Sequence, residues 1–282
     1  FVSQRTVLKM RLGASIFHAL VAWGFTYYLI VNLGDLLEGY IPNFTFLGVG
    51  LIGNLYRLGA DVLSVAALLG MAMLLVRRFL VQAPEFSIHE NVLVHPKARV
   101  GIRRDSLLVG VFILIHVGFR FLGSTFKVTA SESFDSWQPF ASTFANVWNG
   151  MSHAGLLAGE RVGFWVALGM IFLFLPYFPY TKHLHLMAGP FNYLTRPKRT
   201  SLGALNPLDF EDESKEEFGV QRLEQLPQTQ ILDAFTCIMC NRCQDVCPAY
   251  VTGKELSPSA LEINKRYMIK DQFSALAGGA DS

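Results

Sequence analysis

Four apolar stretches limit what this chain can fold into. They cover residues 12–36, 58–81, 105–126 and 162–182. Each is close to the roughly 20 residues that a helix needs to cross a bilayer, and none alternates with the period of a barrel strand. Only 16% of the residues are charged, against about 25% in soluble domains, and most of the deficit lies before residue 190. The sequence therefore predicts an all-α integral membrane bundle of about four transmembrane helices in a lipid bilayer.

Basic residues predict the direction of these helices, because cytoplasmic loops carry an excess of Lys and Arg. Few basic residues fall on the other side, namely Arg57, Lys127 and Arg161. We therefore expect a multi-pass protein of the plasma membrane with both termini in the cytoplasm. The residues on the predicted cytoplasmic side are Arg5, Lys9, Arg11, Arg77, Arg78, Lys97, Arg99, Arg103, Arg104, Lys182, Arg196, Lys198 and Arg199.

The predicted outer connection 127–161 carries aromatic residues at helical spacing. Trp137, Phe140, Phe144 and Trp148 follow one another at intervals of three or four residues. This spacing is typical of an amphipathic helix anchored at the membrane interface. A helix packed on the bundle is the alternative.

The composition changes near residue 200, and we expect a second, soluble part from there. The predicted organisation is a transmembrane domain over 1–199, a linker over 200–226 that contains the acidic run 209–217, and a small α-helical domain over 227–282. Helices are expected over 228–234 and 258–268. The net charge of +2 and the lack of any nucleic-acid motif predict no nucleic-acid partner.

All four cysteines of the chain lie in one run, C-x2-C-x2-C-x3-C-P, from Cys237 through Cys240 and Cys243 to Cys247 and Pro248. This is the ferredoxin pattern that binds a [4Fe–4S] cluster, and soft thiolate ligands suit its iron. A zinc site usually uses two separated C-x2-C pairs or adds histidines, and a disulfide pair is the other alternative. The run predicts a ferredoxin-like domain that handles single electrons.

Five histidines lie in or beside the predicted membrane domain, whereas surface roles are expected for His89 and His95 in the polar loop. A helical membrane domain joined to an iron–sulfur domain needs a carrier of electrons, and haem b between two histidines of facing helices is the usual one. A polar contact between helices is the alternative for each histidine. The five candidates are His18, His116, His153, His183 and His185.

Two of these histidines lie in segments that resemble a known family. The stretch from Pro179 to Arg196, which contains His185, resembles the end of the last haem-bearing helix in the gamma subunit of respiratory nitrate reductase. The segment around His18 resembles its partner helix. The resemblance implies a cytoplasmic-side haem b held by His18 and His185, and it favours His185 over His183.

The sequence departs from this family where a second haem is expected. The family carries a second ligand ten residues after the first and another eighteen before the last, and Tyr28 and Ala167 stand there. The resemblance therefore leaves the second haem either absent or rebuilt from His116 and His153.

The fusion of such a domain to a ferredoxin-type run resembles the heterodisulfide-reductase-related membrane iron–sulfur proteins. These include quinone reductases fed by electron-transfer flavoprotein and membrane subunits of sulfite-reducing complexes. The resemblance implies a membrane quinone oxidoreductase component that links a cytoplasmic donor, or a partner redox subunit, to the menaquinone pool. A membrane anchor or assembly subunit, and a heterodisulfide or sulfite reductase subunit, are the alternatives.

The cysteine run also predicts that this chain is incomplete. In two-cluster ferredoxins the fourth cysteine of each run ligates the other cluster. Cys247 would then reach towards a second cluster, although no second run is present. We expect two clusters in the complete protein, with one cluster on all four cysteines as the alternative.

Overall fold

The computed structural model describes residues 4–198, 208–212, 214 and 217–278. Within these residues the chain is helical and has no β-strand. Residues 200–207, 213, 215 and 216 of the predicted linker lie outside the described residues. The α-helices are α1 (Arg5–Leu8), α2 (Leu12–Tyr40), α3 (Leu51–Leu75), α4 (Pro96–Ala130), α5 (Pro139–Ala145), α6 (His153–Phe174), α7 (His185–Thr195), α8 (Gln228–Thr236), α9 (Arg242–Asp245), α10 (Pro248–Val251) and α11 (Pro258–Ala277).

Four of the described helices are long and apolar enough to cross a membrane, as predicted: α2, α3 with its π-helical extension Val76–Leu80, α4 and α6. The predicted end of the fourth span is wrong, because α6 stops at Phe174 and not at residue 182. Pro176 and Pro179 explain this end, since a proline disfavours helix at the residue before it and removes a backbone donor. Two 3-10 turns follow, Phe178–Tyr180 and Lys182–Leu184.

The chain forms two compact units. The first unit comprises Phe1–Ala83 and Leu107–Tyr177. Its core is built where α2, α3 and α4 contribute Val31, Ala67 and Val109. Gly24 permits the close approach of α2 to α3, because a Cβ there would lie 2.8 Å from the Cβ of Ala67.

The short helix α5 is packed on the first unit through Asp61 of α3. The Asp61 carboxylate accepts hydrogen bonds from the backbone N–H groups of Phe140 and Ala141, at 2.7 and 2.9 Å. The indole of Trp148 donates to the hydroxyl of Thr125 at 2.9 Å. These contacts support the alternative in which this helix is packed on the bundle.

The second unit comprises Pro84–Ser106 and Phe178–Ser282. Its main core joins the segment 92–98 to the cysteine region and α11, through Val92, Ala98, Met239 and Ile263. The polar loop that holds His89 and His95 therefore has a packing role. The His89 ring stacks on Tyr250, and the His95 N–H donates to the Asn264 side chain at 2.8 Å.

Candidate functional site

The cysteine run forms a tight loop that begins where α8 ends. Helix α8 stops at Thr236, and Cys237 follows in an extended conformation. The chain then reverses through left-handed residues at Met239 and Asn241, with φ of 50° and 60°. Cys243 lies in α9, and Cys247 immediately precedes Pro248 at the first position of α10. The four cysteines thus follow one another along the turns of one short segment.

Burial favours the protonated form of two of the four thiols when no metal is bound. Burial raises the pKa of the Cys237 thiol to about 11, opposed by the Met239 N–H, which donates to its sulfur at 3.5 Å. Burial also raises the pKa of Cys243, and the neighbouring thiols of Cys240 and Cys247 add to this effect. In the described part of the chain, no three His, Cys, Asp or Glu side chains are placed to hold one metal ion. Four cysteines in one run are the soft thiolate donors that iron–sulfur clusters use.

The residues after the last cysteine fix the loop to α11. The Gln244 side chain is buried, and its carbonyl accepts from the hydroxyls of Ser257 and Ser259, each at 2.5 Å. Ser257 also caps α11 by accepting from the Ala260 N–H at 3.2 Å. Gly253, with φ of 80°, makes the turn between α10 and this cap. The sequence after the last cysteine thus holds the thiols in place.

Arg266 of α11 lies directly behind Cys237. Its side chain is only 7% exposed, and its guanidinium donates to the carbonyl oxygens of Ala234, at 2.7 Å, and Cys237. Burial lowers the pKa of Arg266, and the Cys237 thiol opposes this effect. Arg266 also lines a cavity of about 30 Å³ with Lys182 and Lys270. The cysteine loop therefore has a strongly basic side.

His185 is held in an orientation that suits a metal ligand. Its Nδ1 lies 2.5 Å from the carbonyl oxygen of Lys182, which leaves Nε2 as the nitrogen able to bind iron. Burial lowers the pKa of His185, which favours the neutral imidazole. His183 is 7% exposed, and burial lowers its pKa to about 3. Both histidines fit a neutral ligand, and the backbone contact favours His185.

Helix α7, which begins at His185, packs along α8, which ends just before Cys237. Helices α7 and α8 form one of the main contacts of the second unit, and the Asn192 amide donates to the Asp233 carboxylate at 2.7 Å. The second unit therefore joins the cysteine loop to the segment of His183 and His185. His18 is half-buried on α2 in the first unit, so its pairing with His185 stays a prediction.

His116 of α4 contacts Tyr28 and Ala167, the two residues that stand where the resembling family has its other haem ligands. Its Nδ1 is 2.9 Å from the carbonyl oxygen of Ala167, and its ring meets that of Tyr28 edge to face at 5.5 Å. His116 is 5% exposed, and its Nε2 has no hydrogen-bond partner among the described residues. An imidazole held by a backbone carbonyl, with its other nitrogen buried and unpaired, fits an axial metal ligand.

The structure does not bring His153 to His116. His153 is exposed at the first residue of α6. Ala167, which contacts His116, lies about 21 Å farther along the same helix at about 1.5 Å per residue. A single haem held by both histidines therefore finds no support in this geometry, and ligation by either one stays a prediction.

A half-buried ion pair inside the first unit was not predicted from the sequence. Arg120 of α4 donates through Nε and Nη2 to the two carboxylate oxygens of Asp35 on α2, at 2.8 and 3.1 Å. The guanidinium also lies 5.9 Å from the centre of the Tyr28 ring, and the Tyr28 hydroxyl is 2.6 Å from that of Ser64. Charged residues inside apolar spans are costly. Asp35 and Arg120, which lie within the predicted spans 12–36 and 105–126, were therefore the signal from which this pair could have been predicted.

Three curated relatives resemble this chain. It is 27% identical over 274 residues to the "Probable iron-sulfur-binding oxidoreductase FadF" of Bacillus subtilis, which covers 97% of this chain and 36% of that protein. It is 33% identical over 274 residues to the "EtfAB:quinone oxidoreductase" of Syntrophomonas wolfei, over 92% of this chain and 35% of that protein. A "Probable membrane-anchored ferredoxin" of Chromohalobacter salexigens is 31% identical over 78 residues, which are 28% of this chain and 10% of that protein.

These similarities concern one part of longer proteins. The chain spans about a third of the length of the first two relatives. No family model matches the chain. No solved structure matches it either. Taken together, the names of the relatives fit a membrane iron–sulfur oxidoreductase, and none of them mentions haem.

Proposed function

We propose that this chain is the membrane electron-transfer part of a quinone oxidoreductase. In this proposal Cys237, Cys240, Cys243 and Cys247 hold iron and sulfide, and the protein lies in the plasma membrane, which the four apolar helices support. The donor is a soluble protein such as an electron-transfer flavoprotein, and the acceptor is a quinone of the menaquinone type. The similarity to an EtfAB:quinone oxidoreductase over 92% of this chain supports both partners.

The single observation that carries the proposal is the packing of α8 on α7. It places the segment of His183 and His185 beside the cysteine loop within one compact unit. A cluster and a haem b each exchange one electron at a time, as a relay between a soluble donor and a quinone requires. The four cysteines would hold the cluster, and His18 with His185 would hold the haem.

We assign Nε2 of His185 to the haem iron because the Lys182 carbonyl already occupies Nδ1. His116 is the candidate ligand for any second haem, since its Nε2 is buried without a partner among the described residues. The proposed topology keeps both termini in the cytoplasm, on the evidence of the basic residues.

The proposal is tested by a pair of histidine variants in the purified membrane protein. We expect His185→Ala to remove the b-type absorption band and to leave the iron and sulfide content unchanged. His183→Ala, two residues away, is the matched control and should retain the band. Loss of the band in His183→Ala alone would show that the assigned ligand is wrong by two residues. A wild-type protein without haem, or with a haem that no quinol reduces, would contradict the proposed relay.

The second candidate function is that of a membrane anchor or assembly subunit. It is favoured by the membrane-anchored ferredoxin among the relatives, whose similarity covers only 28% of this chain. An anchor would show cluster absorbance and no haem. Heterodisulfide or sulfite reduction would require cysteine-rich sites beyond the single run of this chain.

A further inference from the structure

Arg266 carries a buried positive charge that no carboxylate of the described residues contacts directly, and Asp105 and Glu262 act on it only from a distance. Its contacts go to the carbonyl oxygens of Ala234 and Cys237, and in the described ranges no Asp or Glu forms an ion pair with it. An unpaired buried charge is costly unless an opposite charge lies nearby. The carbonyl contacts explain its geometry, because they satisfy the last carbonyls of α8. They do not explain why this position holds a full charge.

The surroundings of Arg266 increase the imbalance. Lys182 and Lys270 line the same cavity, and Asp105 is the one carboxylate among the residues that line it. The Asp105 carboxylate accepts from the Lys182 N–H at 3.0 Å, and the Lys270 ammonium donates to the Tyr180 carbonyl at 3.1 Å. The cavity also reaches Ile238 and Met239 of the cysteine loop. Glu262, the other carboxylate that acts on Arg266, is paired with Lys265 at 2.8 Å, so the side chains around Arg266 present a net positive charge to the loop.

A [4Fe–4S] centre on four thiolates is the anion that suits this place. The charge of its core is smaller than that of its four thiolates, so the centre is negative when oxidised and becomes more negative on reduction. A fixed positive charge therefore stabilises the reduced state more than the oxidised state. Because Arg266 is buried, the solvent screens its charge weakly.

We propose that Arg266 is a positioning residue that raises the reduction potential of the iron–sulfur centre held by the cysteine loop. The inference rests on the proposed function only in requiring that the four cysteines bind the cluster. The guanidinium acts through the Cys237 carbonyl and through its charge, and it does not touch the iron. The same charge lies within electrostatic range of His185, so a haem bound there would feel a weaker effect in the same direction.

The test is a potentiometric titration of the purified protein, followed by the EPR signal of the reduced cluster. We expect the midpoint potential to fall in Arg266→Met and Arg266→Gln, which remove the charge, and to stay near that of the wild type in Arg266→Lys. Lys254→Met is the matched control, because Lys254 is an exposed cation close to the loop in sequence and its loss should leave the potential unchanged.

Three results would overturn the inference. The first is an unchanged potential in both neutral variants at full iron content. The second is an equal fall in Lys254→Met, which would show a general effect of net charge. The third is a loss of iron from every Arg266 variant, since the residue would then serve assembly alone. A wild-type protein without any cluster signal would contradict the proposed function itself, which keeps the two failures distinct.

Discussion

Removal of one partner of the Asp35–Arg120 pair should destabilise the helix bundle strongly. The two side chains are 16% and 18% exposed, and two hydrogen bonds join them. At 2.8 Å and an effective dielectric constant of about 20, their attraction is about 6 kcal/mol before the cost of desolvation. Asp35→Asn leaves the guanidinium buried without its counter-charge, a change that typically costs 3–5 kcal/mol. Because neither group is fully buried, we expect a loss of about 3 kcal/mol.

The measurement is a double-mutant cycle on reversible unfolding in mixed detergent micelles. Asp35→Asn, Arg120→Met and the double variant should give a coupling energy of at least about 2 kcal/mol, because the double variant leaves no charge unpaired. Arg57 and Asp135 provide the matched control. Their ion pair is as short, at 2.9 Å, but the side chains are 41% and 20% exposed, so we expect a coupling of 1 kcal/mol at most. If the Asp35 and Arg120 effects add to within about 0.5 kcal/mol, the argument from burial is wrong.

Two further predictions concern packing and pH. Gly163→Ala should cost about 1–3 kcal/mol of unfolding free energy, because its Cβ would lie 2.7 Å from the Cα of Gly123. Gly169→Ala, on the same helix with nothing within 4 Å, should be neutral or stabilising by up to about 1 kcal/mol. The second prediction rests on Asp271, whose pKa is lowered below 3.8 by the Lys97 ammonium at 2.7 Å. A carboxylate with a lowered pKa stabilises the fold above its ordinary pKa, and this contribution disappears as the pH falls through the lowered value. Asp271→Asn should therefore unfold at a lower temperature than the wild type at pH 7, and the two melting temperatures should converge below pH 3.8. A constant difference across that range would contradict this assignment.

Hydropathy predicted the existence of the four long helices but not their ends. Helix α4 begins at Pro96, nine residues before the predicted span, because a basic segment can be helical without being apolar. Helix α3 begins at Leu51, before the predicted start at 58, since Asn54 and Arg57 lower the local hydropathy without breaking the helix. Helix formation depends on backbone propensity, whereas the predicted spans measured only the preference for lipid.

The contacts of the segment 84–95 could not be predicted from the sequence. The segment lies between two spans and mixes polar residues with apolar ones such as Val92 and Val94, and its position alone is typical of a surface loop. In the fold, the Asn91 amide donates to the Gly253 carbonyl at 2.9 Å, and the Asn241 amide donates to the Glu85 carbonyl at 3.0 Å. Such contacts join residues about 160 positions apart in sequence. They depend on tertiary packing that no local pattern encodes.

The cysteine run shows the opposite case, in which short-range sequence determines the local structure. Each of its features has a local cause: left-handed turns at Met239 and Asn241, a proline at the start of α10 and a serine cap before α11. The residue that completes its environment, Arg266, lies outside the run and was not singled out from the sequence. A sequence motif identifies the ligands of a metal centre. The electrostatic environment of the centre also depends on residues far away in sequence, such as Arg266, that the fold brings next to it.

The same reasoning explains how His116 relates to the resembling family. Tyr28 and Ala167 indicated from the sequence only that two ligand positions were lost. The fold places a third helix between them, so that a histidine of α4 contacts both residues. The backbone carbonyl of Ala167 is available whatever the side chain, and it can orient an imidazole that arrives from another helix. His153 lies about 21 Å from Ala167 along α6. Of these two histidines, His116 is therefore the one placed to ligate a haem beside Tyr28 and Ala167. The absence of the family's ligand residues from the sequence therefore does not by itself show that the bundle lacks the corresponding site.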